Sequence, residues 1–344
     1  MVKMGYSFTE GEFDNLLKEL NQDYNIFAPT ILKGEGRFSD TDQVRYGHIN
    51  SFSELEYEKK SAYSAKEIVF PITQTLFYFI DEKIQEPEDE QEDIIIFLRP
   101  CDLNALDRLD KIFLENGEEK DIYYERVRQK IKFFVMECTE GFENCFCVSM
   151  GTNKVENYDA FFRFAEGKIS CELQNDNLKS KFNKSADKCE FIPKFITENK
   201  TEVTLPDPDK INNELFEHKV WKEYSQRCIA CGRCNMVCPS CSCFTTQDIV
   251  YEDNENCGER RRVWAGCHID GYTEMAGGHG FRAEYGDRMR FKTMHKIYDF
   301  KQRFGIDMCV GCGRCDDICP EYISFAKCIN KLNQIIEEEE TDVS

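Results

Sequence analysis

The sequence predicts an α+β chain of two domains: an amino-terminal α/β domain with a partly parallel sheet over 1–205, and a mostly helical carboxyl-terminal domain over 213–335. Three observations carry this. A strand, helix, strand order runs from Ile94 to Met136, the hydrophobic period turns helical from about Asn213, and two near-identical cysteine quartets occupy the last third of the chain.

The amino-terminal elements follow from local patterns. Thr9 and Glu12 form a capping-box pair ahead of Phe13, Leu16, Leu17 and Leu20, so a short amphipathic helix opens the chain. Strand-like runs stand at Ile68–Ile72, Ile94–Leu98 and Lys132–Met136, with weaker ones at Lys168–Leu173 and Cys189–Phe195. Leu103, Leu106, Leu109, Ile112 and Phe113 recur at helical spacing between the second and third runs. A strand that returns parallel after a helix does so by a right-handed crossover, which gives a parallel α/β unit. Pro206 and Pro208 mark 201–212 as the interdomain linker. Beyond it Phe216, Val220 and Tyr224 share a helical face leading into Cys228.

Bulk numbers bound the function. A chain of 344 residues holds about two domains, each with its own core. Its most apolar stretch, Val69 to Ile80, is interrupted by Thr73, Gln74 and Thr75, and no basic-then-apolar signal pattern opens the sequence. The expectation is a soluble, cytoplasmic protein with no membrane contact. A formal charge of −20 excludes a basic nucleic-acid surface. The acidic run from Asp81 to Asp93 reads as a solvated linker, and the one at Glu337 to Glu340 as part of a frayed acidic tail, 336–344. Nineteen cysteines without an export signal point to metal binding in a reducing compartment.

The quartets carry the chemistry. Cys228, Cys231, Cys234 and Cys238, closing on Pro239, and Cys309, Cys312, Cys315 and Cys319, closing on Pro320, each read C-x2-C-x2-C-x3-C-P around a C-G-R-C core. In that spacing three thiolates hold one 4Fe–4S cluster and the fourth reaches its neighbour. Cluster one is therefore expected on Cys228, Cys231, Cys234 and Cys319, and cluster two on Cys309, Cys312, Cys315 and Cys238. Gly232, Gly311 and Gly313 let the backbone approach and aim N–H groups at sulfur. A pair of zinc sites is the competing reading, but a zinc ribbon has no use for three evenly stepped cysteines and C-P, twice. The polar insert 239–308 between the quartets, helical towards 289–304, suits a helical dicluster domain like that of fumarate reductase iron–sulfur subunits better than a small ferredoxin.

Four further cysteines form a candidate third site. Cys101 follows the strand Ile94–Leu98 in Arg99-Pro100-Cys101-Asp102, and Cys138 follows Lys132–Met136, so both fall at the carboxyl edge of a parallel sheet, where ligands bind. The loop 139–147 brings Cys145 and Cys147. Ordinary buried cysteines are the alternative. Cys171 and Cys189 lie in strand-like runs and read as core residues; Cys241, Cys243, Cys257, Cys267 and Cys328 remain unassigned. His48, His218, His268, His279 and His295 are scattered. The Ala276-Gly277-Gly278-His279-Gly280 stretch lacks the context of a phosphate loop and reads as a tight turn packed near a cluster. No catalytic constellation is evident.

Gly34-Glu35-Gly36-Arg37-Phe38-Ser39-Asp40-Thr41-Asp42, Phe70-Pro71-Ile72-Thr73-Gln74, Arg99-Pro100-Cys101-Asp102 and the quartets together resemble the iron–sulfur electron-transfer subunits of the anaerobic sulfite reductase family, over about Phe8 to Lys327. Beta subunits of cytoplasmic sulfhydrogenases are similar in the Arg-Pro-Cys-Asp element, Cys145-Phe146-Cys147 and Ala276-Gly277-Gly278-His279. The resemblance implies an electron-transfer subunit without a substrate-reducing site of its own. Its implied partners are an FAD- and NAD(H)-binding flavoprotein and a siroheme iron–sulfur subunit that reduces sulfite to sulfide. It also implies a third 4Fe–4S cluster on Cys101, Cys138, Cys145 and Cys147. The alternative is the relay subunit of a hydrogenase or sulfur-reducing complex.

Overall fold

A computed structural model describes residues 3–37, 40–81, 83–88, 92–165 and 167–343. Phe38 and Ser39 of the glycine-rich motif, and Glu82, Asp89, Glu90 and Gln91 of the first acidic run, lie outside the described residues.

In chain order the strands are β1 (Lys3–Phe8), β2 (Tyr24–Leu32), β3 (Gln43–His48), β4 (Thr73–Ile80), β5 (Lys83–Gln85), β6 (Asp93–Leu98), β7 (Ile131–Met136), β8 (Ala160–Ala165), β9 (Lys168–Leu173), β10 (Asp187–Phe191), β11 (Phe244–Tyr251) and β12 (Asn254–Trp264). The helices are α1 (Glu10–Leu20), α2 (Lys66–Val69), α3 (Pro100–Phe113), α4 (Ile122–Gln129), α5 (Lys179–Ser185), α6 (Asn213–Glu217), α7 (Val220–Arg227), α8 (Arg233–Met236), α9 (Tyr285–Met294), α10 (Phe300–Phe304), α11 (Arg314–Ile318) and α12 (Phe325–Val343). They group into two compact units. One holds Met1–Val69, Glu90–Phe142 and Gly151–Asn199; the other holds Phe70–Asp89, Glu143–Met150 and Lys200–Ser344.

The first unit is built on an eight-stranded sheet of order β10-β1-β9-β8-β7-β6-β2-β3. Strands β2, β6, β7 and β8 run parallel, and the remaining pairs are antiparallel. Central strand β6 is buried from Ile94 to Leu98, which is why its sequence is a continuous apolar run rather than an alternating one. Helix α1 starts at the expected capping box: Thr9 Oγ1 accepts from the Glu12 N–H at 3.3 Å and Glu12 Oε2 accepts from the Thr9 N–H at 2.7 Å. It buries Phe13, Leu16, Leu17 and Leu20, and Phe13 meets Phe97, Phe162 and Phe164 edge-on.

The second unit combines helices with a four-stranded antiparallel sheet, β11-β12-β4-β5. The mixed fold class matches expectation, with parallel strands towards the amino terminus and a helical region towards the carboxyl terminus. The antiparallel sheet was not legible in advance, because β11 is exposed nearly throughout and carries no alternation. Its corner explains the Phe70 to Gln74 motif: the buried Arg262 lies 4.8 Å over the Phe70 ring and donates to Gln74 Oε1 at 2.6 Å, and Trp264 Nε1 donates to the Phe70 carbonyl at 3.0 Å.

Several local expectations are corrected. Ile68–Ile72 is no strand: α2 ends at Val69, Pro71 follows, and the strand begins at Thr73. The run at Cys189–Phe195 is a strand only over Asp187–Phe191. Segment 201–212, expected as the interdomain linker, falls just after the boundary between the two units and belongs to the second. Val203 and Ile211 are buried in the helical core, and the Val203 N–H donates to Ser149 Oγ at 3.0 Å. The acidic run from Glu337 falls within α12, which continues to Val343, and Ile336 ahead of it packs in that core. Gly277 and Gly278 do form a tight turn, at φ 87° and 76°, between paired Met275 and His279. Both paired residues and both glycines are exposed. Among the described residues no helix is long and apolar enough to cross a membrane.

Candidate metal centres

The two quartets adopt one backbone design. Helix α7 ends on Cys228, whose N–H donates to the Tyr224 carbonyl at 2.9 Å. The chain then passes through left-handed residues at Ala230 (φ 52°) and Gly232 (φ 70°) into the short helix α8 and on to Cys238. The second quartet repeats this, with Gly311 (φ 62°) and Gly313 (φ 69°) leading into α11 and Cys319. Such reversals point successive N–H groups inward. Ala230 N–H reaches Cys228 Sγ, Gly311 N–H reaches Cys309 Sγ and Ile323 N–H reaches Cys319 Sγ, each at 3.4 Å.

The thiols ring two cavities. Cys228, Cys231, Cys234 and Cys319 line the first, with His268, Met289 and Phe325; it encloses about 480 Å³, counting the part open to solvent. Cys238, Cys309, Cys312 and Cys315 line the second, of about 370 Å³ on the same measure. Cys319, last in its own quartet, thus stands with the first three cysteines of the other, and Cys238 does the reverse. Cys234, Cys315, Lys292 and Phe325 belong to the walls of both cavities, so a single layer of side chains separates them. Among the described residues no group of three or more His, Cys, Asp or Glu is arranged to hold a single metal ion. A ring of four thiols around an open space suits a multi-iron cubane, whose corners each take one thiolate.

The surroundings of the quartets differ. Cys231 is exposed and Ile229 is 54% exposed, whereas Val310 and Cys312 are buried. Segment 143–150 does the covering. Phe146 N–H donates to the Gly311 carbonyl at 2.7 Å, Cys145 Sγ donates to the Cys312 carbonyl at 3.4 Å, and Asn144 Nδ2 donates to Asp317 Oδ1 at 2.7 Å. A Cβ on Gly313 would fall 2.1 Å from the Asn144 carbonyl oxygen, so close approach as well as φ demands glycine there. Burial pushes the Cys309 thiol up to about 12 and the Cys315 thiol well above its usual range. Loading such a site must displace protons that these thiols otherwise keep.

Three groups missed in the sequence complete the site. Lys292 lies on α9 and Lys296 on the π-helical turn His295–Asp299 that continues it; both are buried. Burial opposes their charge, but Cys234, Cys315 and Cys238 facing Lys292, and Cys238, Cys241 and Cys309 facing Lys296, outweigh it and hold both ammoniums above their usual pKa. The π turn leaves the Lys296 carbonyl free to accept the Met308 and Cys309 N–H groups at 2.9 and 3.1 Å, which fixes the start of the second quartet. Asn235, also buried, donates from Nδ2 to Cys267 Sγ at 3.3 Å and Cys241 Sγ at 3.8 Å, and its Oδ1 accepts the His268 N–H at 3.2 Å.

The remaining cysteines find places. Cys241 and Cys267 flank Asn235, Cys243 immediately precedes β11 and its carbonyl accepts the Ala265 N–H at 2.9 Å, Cys257 sits on β12 and accepts from Asn254 Nδ2 at 3.1 Å, and Cys328 is in the helical core beside Thr293. Cys171 is fully buried in the first unit's core and Cys189 is half-buried on β10. Of the third candidate set, Cys101 starts α3 and Cys138 follows β7, at the carboxyl ends of adjacent parallel strands in the first unit. Arg99 Nη1 donates to the Glu137 carbonyl between them at 2.7 Å. Cys145 and Cys147 are buried and belong to the second unit, on the segment over the second quartet.

Residues 227–323 match the family model of a 4Fe-4S dicluster domain. Nearly the whole chain is similar to sulfhydrogenase 2 subunit beta of Pyrococcus furiosus, at 28% identity over 94% of this chain and 96% of that protein. No solved structure matches the chain. The carboxyl-terminal part of this protein therefore carries a 4Fe–4S dicluster domain.

Proposed function

We propose that this chain is the electron-relay subunit of an oxidoreductase complex. It passes single electrons between 4Fe–4S clusters held by Cys228, Cys231, Cys234 and Cys319 and by Cys309, Cys312, Cys315 and Cys238. The observation that carries the reading is the pair of thiol-ringed cavities sharing one wall, since neighbouring cubanes so close exchange electrons without a carrier. When bound, the clusters supply one-electron redox chemistry. The chain's part is to hold the thiolates, aim N–H groups at sulfur and keep water from the second cavity. Cys231, the exposed ligand, makes the first quartet the natural point of exchange with another protein.

Cys101, Cys138, Cys145 and Cys147 are proposed to hold a third 4Fe–4S cluster. Their support is the shared sheet edge of Cys101 and Cys138, and the position of Cys145 and Cys147 beside the second quartet. For the complex, the amino-terminal motifs favour a sulfite-reducing assembly, with electrons entering from a flavoprotein that takes them from NADH and leaving for a siroheme subunit. Likeness along nearly the whole chain to a sulfhydrogenase beta subunit favours a second reading, in which the partner is a hydrogenase.

One anaerobic purification tests both levels. The chain alone is expected to carry about twelve irons with matching acid-labile sulfide, falling to about eight in Cys101→Ser and Cys147→Ser, at four irons per cluster. Eight in every form removes the third cluster, and fewer than eight in the parent removes the relay. Siroheme absorbance in the co-purified complex supports sulfite reduction; nickel without siroheme refutes it in favour of the hydrogenase.

A further inference from the structure

Lys292 and Lys296 are 5% and 3% exposed and lie one helical turn apart, so both side chains leave the same face. Lys292 lines both cavities, while Lys296 lines the second. The Lys292 ammonium sits 4.8 Å above the Phe325 ring, and Lys296 Nζ donates to Ser240 Oγ at 2.9 Å. Among the described residues neither makes an ion pair with a carboxylate. A buried ammonium is costly unless an anion compensates it. The anions on offer are the quartet sulfurs and the clusters they would bind. Acidic residues outnumber basic ones, 64 to 44, across the chain, so two buried lysines at this spot oppose its overall charge.

We propose that Lys292 and Lys296 set the reduction potentials of the relay, Lys292 acting on both clusters and Lys296 on the one held by Cys238, Cys309, Cys312 and Cys315. This rests on the relay reading above. Each reduction adds one electron to a cubane already bearing four thiolates, and a fixed positive charge stabilises the reduced form more than the oxidised. Buried charges escape salt screening, so the effect persists at physiological ionic strength. Standing in the shared wall, Lys292 favours an added electron on either cluster. Its removal therefore lowers both potentials.

The test is an EPR-monitored redox titration of the anaerobically purified full chain, with iron and sulfide counted on each sample. Lys292→Gln is expected to lower both steps by at least tenfold in the reduced-to-oxidised ratio, about 59 mV for one electron. Lys292→Arg, which keeps the charge, restores most of the shift, and Lys296→Gln lowers one step only. A parent chain with fewer than eight irons sinks the relay reading itself. A parent with both clusters, and fully loaded Gln variants whose potentials do not move, overturns this inference alone. Should Lys292→Gln lose iron, Lys296→Gln decides: a drop confined to one step supports the proposal, and no shift or an equal shift in both overturns it.

Discussion

Gly311 and Ala230 occupy equivalent positions in the two quartets, and exchanging their side chains isolates what the covering segment demands. In Gly311→Ala the residue keeps a φ of 62°, a left-handed conformation that costs an alanine about 1–2 kcal/mol. The new Cβ would lie 2.6 Å from both the carbonyl carbon and the oxygen of Phe146 and 2.7 Å from the Cys147 nitrogen. These are backbone atoms, so segment 143–150 must withdraw. Withdrawal breaks the 2.7 Å hydrogen bond from Phe146 N–H to the Gly311 carbonyl, worth about 0.5–1.5 kcal/mol, and exposes part of the Phe146 ring, whose full burial is worth about 1.5–3 kcal/mol. The sum is about 2–5 kcal/mol. For a compact unit of this size that is a fall of roughly 10 °C in Tm, measured by anaerobic scanning calorimetry on the iron-loaded chain. Ala230 already accepts the left-handed cost at φ 52°, so Ala230→Gly relieves about 1 kcal/mol while freeing the unfolded chain by a similar amount; its Tm should move by no more than a few degrees. The reasoning fails if Gly311→Ala melts within 1 °C of the parent, or if the two variants lose stability equally.

Two further outcomes follow from the same geometry. Cys319→Ser should disturb the cluster bound by Cys228, Cys231 and Cys234 rather than that of its own quartet, and Cys238→Ser the converse. The EPR signal of the surviving cluster, compared between the two variants, reads this out, and loss confined to each mutated quartet would refute the interleaving. Asn235→Ala removes donors to two sulfurs and leaves the buried His268 N–H without its acceptor; at about 1–3 kcal/mol for an unsatisfied buried group, the Tm should fall by several degrees. An unchanged Tm would show that water replaces the amide.

What the sequence by itself determined is what lies within a few residues of chain. The quartets are readable because three cysteines in one loop serve one centre whatever surrounds them. Helix α1 is readable because Thr9, Glu12 and the leucines form its cap and its buried face. Strand β6 is readable because burial on both faces makes every residue from Ile94 to Leu98 apolar. Tertiary structure alone decided the rest, since it depends on neighbours far along the chain. Strand β4 pairs with β12 from about 180 residues later, and neither carries an alternating pattern that announces a partner. Lys292 and Lys296 read as the polar face of a helix until thiols from both quartets surround them; a lysine's letter does not record whether water or sulfur meets its charge. The covering of Gly311 by Phe146 is equally invisible in sequence, because backbone contact leaves only a glycine, and glycine has several other uses. Local stereochemistry names the ligands, and long-range packing supplies the charge and the cover that make them a working pair.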